Sequence, residues 1–331
     1  MWERHYLLSN STKHNRSHSA QVVYYGNFLY ENHGAKPHVL FPILANFYIN
    51  RTNAQVRRVD KRWKRMSRLE KGYYAALGDS VDFTGVYEWL YSYNTLIRDG
   101  KEFEGTKDAM FGCIKKAIPF IKEIEFNSKY HEFEVLVDFE DGQPVERKLA
   151  SFLSDGMKAV LNMVAEIAYR CVLLNGKLGQ NAIVDSPGIV LIDEIDMHLH
   201  PKWQKRIVAD LKNAFPKLQF IVTTHSPFIV QSLKSDELLI LDFDKVEGLD
   251  EDPNRHSIEE VSTGEMGVPN VERSQLFLKM QNEAKEYFDL IKNKSDKESI
   301  AKAKRKLDEL RIRFNSDPAY VALLESEMKE S

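Results

Sequence analysis

A parallel α/β fold with a helical insertion and a helical C-terminal tail is the class predicted by the 331-residue sequence, on three features. Short apolar runs at 189–192 and 220–222 flank an amphipathic stretch at 201–215, the β-α-β rhythm of a parallel sheet flanked by helices. Between about 52 and 125 the pattern is mainly helical, and beyond Thr263 it is helical again. A hydrophobic content of 43% can fill one core plus a smaller appendage.

The elements follow in chain order. Residues up to Ala35 are polar, rich in Ser, Asn and His, and read as a loop or lead-in. The stretch 36–50, KPHVLFPILANFYIN, reads as a buried strand. Arg57, Arg58, Lys61, Arg62, Lys64 and Arg65 surround Trp63, and helical patterns continue through Tyr74, Trp89 and Leu96 to about Ile121. Phe133, Val135, Val137 and Phe139 alternate before a Glu140-Asp141-Gly142 turn, and 145–149 return, which predicts a hairpin. A helix then buries Val160, Leu161, Val164, Ile167, Ala168 and Cys171. Trp203, Ile207, Leu211 and Phe215 point inward from 201–215, and 238–241 is read as a third strand of the same two-sided sheet. In the tail, Leu276, Met280, Ala284, Tyr287, Phe288 and Ile291 share one face. Ser295 with Glu298 makes a capping box, Ile300, Ala303, Leu307, Leu310 and Phe314 repeat the pattern, and Asp317-Pro318 opens a short third helix. The expected divisions are 1–51, 52–125, 126–245 and 246–331, the third being the core.

A formal charge of −3 argues against whole-molecule attraction to nucleic acid or anionic lipid. The two cysteines, Cys113 and Cys171, form no C-x-x-C unit and suit a reducing cytoplasm. No apolar run approaches the ~18 residues of a membrane span, and Met1-Trp-Glu-Arg-His lacks a signal-peptide pattern.

Three segments carry chemistry. Ile189-Val190-Leu191-Ile192 runs into Asp193 and Glu194, so a buried strand delivers two carboxylates at its C-terminal edge, where ligands of open parallel sheets bind. The bland alternative is a strand ending in two solvated acids. Ser154 and Gly156 open a helix and can form a compact anion site with its dipole; alternatively Ser154 is only a cap. Phe220-Ile221-Val222-Thr223-Thr224-His225-Ser226-Pro227 ends a strand in a histidine that can donate to a phosphate or be plain surface. The order of the three, with a β-α-β unit between the last two, favours the chemical reading.

With these motifs the chain resembles the ATP-binding heads of the ABC superfamily, in the branch of SMC-like, OLD and bacterial anti-phage ATPases. DEIDMHLHPKWQ and FPKLQFIVTTHSP look especially like the ATPase subunits of Septu and retron-associated defence systems, and LFPILANFYINR and GYYAALGDSVDF extend the similarity upstream. The resemblance implies a P-loop NTPase head of ABC type, of which this chain carries the C-terminal part. It makes residues 153–157 the signature loop, with Asp155 where transporters carry glycine, so that Ser154, Asp155 and Gly156 contact nucleotide in trans. It makes Asp193 the Mg²⁺ carboxylate and Glu194 the general base of the Walker B pair, 195–201 the D-loop, and His225 the catalytic switch. ATP and Mg²⁺ are the implied ligands. A head dimer, a separate HNH-type nuclease partner and a role in anti-phage defence are the implied setting, with a cytoplasmic location.

One departure stands beside the match. No G-x-x-x-x-G-K-[S/T] occurs, and Asn175-Gly176-Lys177-Leu178-Gly179 lacks the spacing and the hydroxyl. Family order places that Walker A loop before Met1, so this chain alone is expected neither to hold ATP tightly nor to turn it over. Two other readings remain: a non-catalytic truncated head acting as an interaction subunit, and an SMC-like DNA-repair ATPase, which the lack of a long heptad segment disfavours. His198 and His200 suggest a metal pair, but the resemblance accounts for them as D-loop and helix entry. The basic run around Trp63 reads as a nucleic-acid grip or, preferably, a solvated helix face. No acidic triad or His-Asn-His constellation gives the chain nuclease chemistry of its own.

Overall fold

A computed structural model describes residues 4–6, 12–14, 16–32, 39–49, 63, 65–78, 83–139, 144–242, 245–248, 251–268, 275–292 and 297–311. The chain divides into two units, Met1–Ser232 and Leu233–Ser331.

In the first unit, strands β1 (Arg4–Tyr6) and β2 (Thr12–His14) pair antiparallel, and helix α1 (Arg16–Asn32) follows. The expected loop before Ala35 is thus largely helical. Its apolar and aromatic residues form no buried stripe to mark it: among the positions with described side chains only Leu29 is buried, while Tyr24, Tyr25 and Tyr30 are exposed.

The centre is a three-stranded parallel sheet in the order β3 (Ile43–Phe47), β7 (Gly188–Ile192), β8 (Leu218–Val222). Its register aligns Phe47 with Ile192 and Ile192 with Val222, so the three strands end level. Ile43, Ala45, Phe47, Val190 and Ile192 bury one face. The other face is open at Ile189 and Ile221, 40% and 52% exposed, which corrects the expected two-sided burial.

Helix α5 (Asp155–Asn175) covers the buried face and packs against α2 (Arg68–Tyr73), α3 (Thr84–Arg98) and α4 (Thr106–Ala117). Leu161, Val164, Ile167, Ala168 and Cys171 are fully buried on it, each large aliphatic side chain contributing about 1.5–3 kcal/mol. Asn175 ends it: its side chain accepts from the Phe41 N–H and donates to the Phe41 carbonyl (both 2.9 Å) and to Ser186 Oγ (2.8 Å), fixing where β3 begins. Lys177 Nζ donates to the Val39 carbonyl at 2.9 Å. The fragment that came nearest to a phosphate loop is therefore used in tying α5 to the lead into β3.

Strand β4 (Ile121–Asn127) pairs antiparallel with β5 (Glu132–Val137), which pairs with β6 (Glu146–Leu149). The β5–β6 pairing is as predicted, the expected Glu140-Asp141-Gly142 turn lying outside the described residues; β4 is additional. Helices α6 (Pro201–Gln204) and α7 (Ile207–Ala214) connect β7 to β8 with Ile207, Leu211 and Phe215 buried. Trp203 is only half-buried and stacks on Phe120 at 4.5 Å. Helix α8 (Pro227–Val230) follows β8.

In the second unit, β9 (Leu239–Asp242) pairs antiparallel with β10 (Lys245–Gly248) in a sheet of their own. The run expected to extend the parallel sheet forms a hairpin instead, with Leu239 and Leu241 exposed. Helix α9 (Ile258–Thr263) carries a Ser257–Glu260 capping box. Helices α10 (Gln275–Lys292) and α11 (Lys297–Arg311) pack through Ala284, Tyr287, Ala303 and Leu307, as their period predicts. Ser295, Phe314, the Asp317-Pro318 start and the side chain of Leu310 lie outside the described residues, as do Arg57, Arg58, Lys61, Arg62 and Lys64 of the basic run.

Candidate functional site

The level strand ends assemble the site. Backbone pairing continues past them: the Asp193 N–H donates to the Phe47 carbonyl (2.8 Å), the Thr223 N–H to Ile192 (3.0 Å) and the Ile195 N–H to Thr223 (3.0 Å). The continuation brings Asp193, Glu194 and 223–226 side by side at the C-terminal edge of the sheet, where strand termini leave room for a ligand.

Thr223 binds both acids together. Its hydroxyl donates to Asp193 Oδ1 at 2.6 Å and accepts from the Glu194 N–H at 2.9 Å. Glu194 is left-handed (φ 49°), a conformation that costs a non-glycine residue about 1–2 kcal/mol. With the backbone turned this way, Glu194 Oε1 lies 3.4 Å from His225 Nε2. The imidazole is 85% exposed and the carboxylate 23%, so the histidine faces outward over a partly sheltered acid.

The loop after Glu194 is held from both ends. Thr224 Oγ1 donates to Asp196 Oδ1, and Gln204 Nε2 donates to the carbonyls of Leu199 (3.0 Å) and Asp196 (3.3 Å). Ser226 Oγ donates to Gln204 Oε1 at 2.7 Å and accepts from the Phe228 N–H at 3.2 Å, capping α8. His200 Nδ1 accepts from the Lys202 N–H at 3.2 Å and caps α6, so that ring nitrogen is already engaged.

Ser154 takes the N-cap of α5, its Oγ accepting from the Met157 N–H at 3.4 Å. Asp155 pairs with Lys158 at 3.1 Å, which offsets a carboxylate beside an anion-favouring helix start. Gly156 meets the 195–200 loop: a Cβ there would run into the carbonyl oxygen of His198, itself left-handed at φ 63°. Ser154, Met157, His198, His200 and Lys202 line an open groove of about 490 Å³. Gly156 and Ser154 thus adjoin the segment that follows Glu194. Asp193, Glu194 and His225 form one cluster, and Ser154, Asp155 and Gly156 stand at the far end of the loop that begins there.

Sequence reasoning missed Thr223, Thr224, Asp196, Gln204 and Ser226. Paired threonines directly before the histidine were the available signal, since a hydroxyl at a strand end can bond to the neighbouring strand's terminus. The basic run gave one definite result. Arg68 donates to the Leu173 (2.6 Å) and Val172 carbonyls and pairs with Glu102 at 2.8 Å, while the Trp63 ring packs on Lys71 Nζ at 4.2 Å. Both are occupied in structural contacts.

A family model described as "AAA domain, putative AbiEii toxin, Type IV TA system" matches residues 52–231, more than half of the chain. The chain belongs to this AAA family. The match takes in the α5 start, the acidic pair and His225. Among curated relatives, "Retron Vc95 probable ATPase" of Vibrio cholerae serotype O1 biovar El Tor is 49% identical over 89 residues, 27% of this chain and 17% of that one. "Retron Ec83 probable ATPase" of Escherichia coli is 47% identical over 91 residues, 27% of this chain and 16% of that protein. "Septu protein PtuA" of Bacillus thuringiensis is 29% identical over 239 residues, 67% of this chain and 55% of that protein. The matched stretches thus span little more than half of these AAA relatives' lengths at most. The expected likeness to retron ATPases and to a Septu protein is thus found, and the family shown is the AAA one.

Proposed function

We propose that this AAA-family chain is the ATP-hydrolysing subunit of a bacterial anti-phage defence complex, and that it supplies the signature, Walker B and switch parts of an ABC-type head. The supporting observation is the Glu194–His225 contact of 3.4 Å at the ends of two parallel strands, with one threonine hydroxyl bridging Asp193 and the Glu194 backbone.

In this reading Glu194 accepts the proton of the attacking water, and Asp193 would hold Mg²⁺ through its carboxylate, the donor type that suits a hard cation. When bound, Mg²⁺ neutralises charge on the transferring phosphate. His225 donates to the γ-phosphate, and the change this makes to its contact with Glu194 reports that the phosphate is present. Ser154, Asp155 and Gly156 face nucleotide held by a second head, so a head dimer is part of the proposal. The 331 residues contain no G-x-x-x-x-G-K-[S/T], and in this reading a second polypeptide segment would supply the grip on the β- and γ-phosphates. Closure of the dimer would control an HNH-type nuclease partner, with the helices of 275–311 as its docking surface.

Glu194→Gln tests the chemistry. In the full-length protein within its native assembly, hydrolysis is expected to fall about 10²–10⁴-fold, with ATP binding kept and the dimer trapped in size-exclusion chromatography. Hydrolysis unaffected by Glu194→Gln would end the proposal.

A further inference from the structure

We propose that Gln204 is a positioning residue for hydrolysis, closing a ring of hydrogen bonds that sets Glu194 against His225; the inference rests on the ATPase reading above. Gln204 closes the DEIDMHLHPKWQ segment, eleven residues after Asp193, and touches neither acid. Its amide nevertheless links that segment to the one around His225. Nε2 donates to the Asp196 carbonyl, Thr224 Oγ1 donates to the Asp196 carboxylate, the Ser226 N–H donates to Thr224 Oγ1 at 3.1 Å, and Ser226 Oγ donates back to Gln204 Oε1. Four residues complete the circuit, and a second Nε2 bond to the Leu199 carbonyl extends it along the loop.

The placement of the ring gives it a function. His225 sits between two members, Thr224 and Ser226, and Glu194 lies two residues before a third, Asp196. The ring thus fixes the backbone on both sides of the histidine to the loop that leaves the carboxylate. Glu194 and His198 are both left-handed, and such backbone persists only where surrounding bonds over-determine it. Ser226 is 5% exposed, so the Gln204–Ser226 bond is sheltered from competing water. An amide is the group that suits: it accepts from a hydroxyl and donates to two carbonyls at once, which neither a carboxylate nor an ammonium can do.

The test compares Gln204→Ala, Gln204→Glu, Ser226→Ala and Ser226→Thr with Glu194→Gln and His225→Ala in the native assembly. Gln204→Ala and Gln204→Glu are expected to lower kcat at least about tenfold per folded molecule while the KM for ATP moves less than about twofold, because only the acid's placement is lost. Ser226→Ala should follow them and Ser226→Thr, which keeps the hydroxyl, should restore most of the rate. Gln204→Ala combined with His225→Ala should be no slower than His225→Ala alone, since both act through one geometry. Normal kcat per folded molecule in both Gln204 variants, or a full additional loss in the double variant, would assign Gln204 to folding and overturn the inference. Hydrolysis that survives Glu194→Gln overturns the inference together with the ATPase reading; hydrolysis abolished there but retained in the Gln204 variants overturns the inference alone.

Discussion

Thr223 and Gly156 act by opposite means at the scale of single residues. Thr223 contributes one exposed hydroxyl shared by two partners, worth only on the order of 0.5–1 kcal/mol of stability, yet it fixes the spacing of both acids. Gly156 contributes the absence of a side chain, which lets the α5 start touch the His198 carbonyl. Gly156→Ala is expected to destabilise the first unit by about 1–3 kcal/mol, because the obstacle is backbone and cannot rotate away. Urea unfolding of the purified chain would check it, and an unchanged midpoint would show that the contact is not tight. The places of Ser154 and of the acidic pair were legible in sequence because the serine opens a periodic element and the acids close one. The bonding of Gln204, which closes the DEIDMHLHPKWQ segment, was not, because its bonds run to backbone carbonyls and to a serine 22 positions away, and no local pattern marks such partners.

Helix α5 is the element on which the first unit depends. It buries a charged pair, Glu166–Arg170 at 2.7 Å, with Arg170 also donating to the carbonyls of Gly72 (2.8 Å) and Tyr74 (3.0 Å). Arg170→Met leaves a buried carboxylate without its cation and two carbonyls without their donor, so a loss of about 3–5 kcal/mol is expected by chemical denaturation. A loss below about 1 kcal/mol would mean that the pair is hydrated. The apolar stripe of α5 and the alternation of β5 predicted their elements correctly because burial enforces those periods. Strand β4 escaped because four of its seven residues, Lys122, Glu123, Glu125 and Asn127, are polar and it is bulged between Ile121 and Glu123. The run at 238–241, read as a strand of the parallel sheet, pairs elsewhere for the converse reason: Leu239 and Leu241 suggest burial, yet both are exposed, and strand partners are not encoded in so short a run.

For the molecule as a whole, the AAA match at 52–231 falls inside the first unit, and among the described residues no helix is long and apolar enough to cross a membrane. Both thiols of the chain are buried in that unit. Burial raises each one's pKa, that of Cys171 to about 12, so the reactive thiolate is scarce at pH 8. A disulfide-exchange reagent at pH 8 should therefore find no fast-reacting thiol in the native chain and two after denaturation; rapid native labelling would show that the α4–α5 packing opens. The same assay gives a fold check for every variant proposed above.

The bare contact between Gly156 and the His198 carbonyl has a mechanical consequence. Two stretches of main chain that meet with no side chain between them share no rotamer that could absorb a displacement. A displacement of the α5 start therefore has no side-chain rotation to absorb it before it meets the His198 segment.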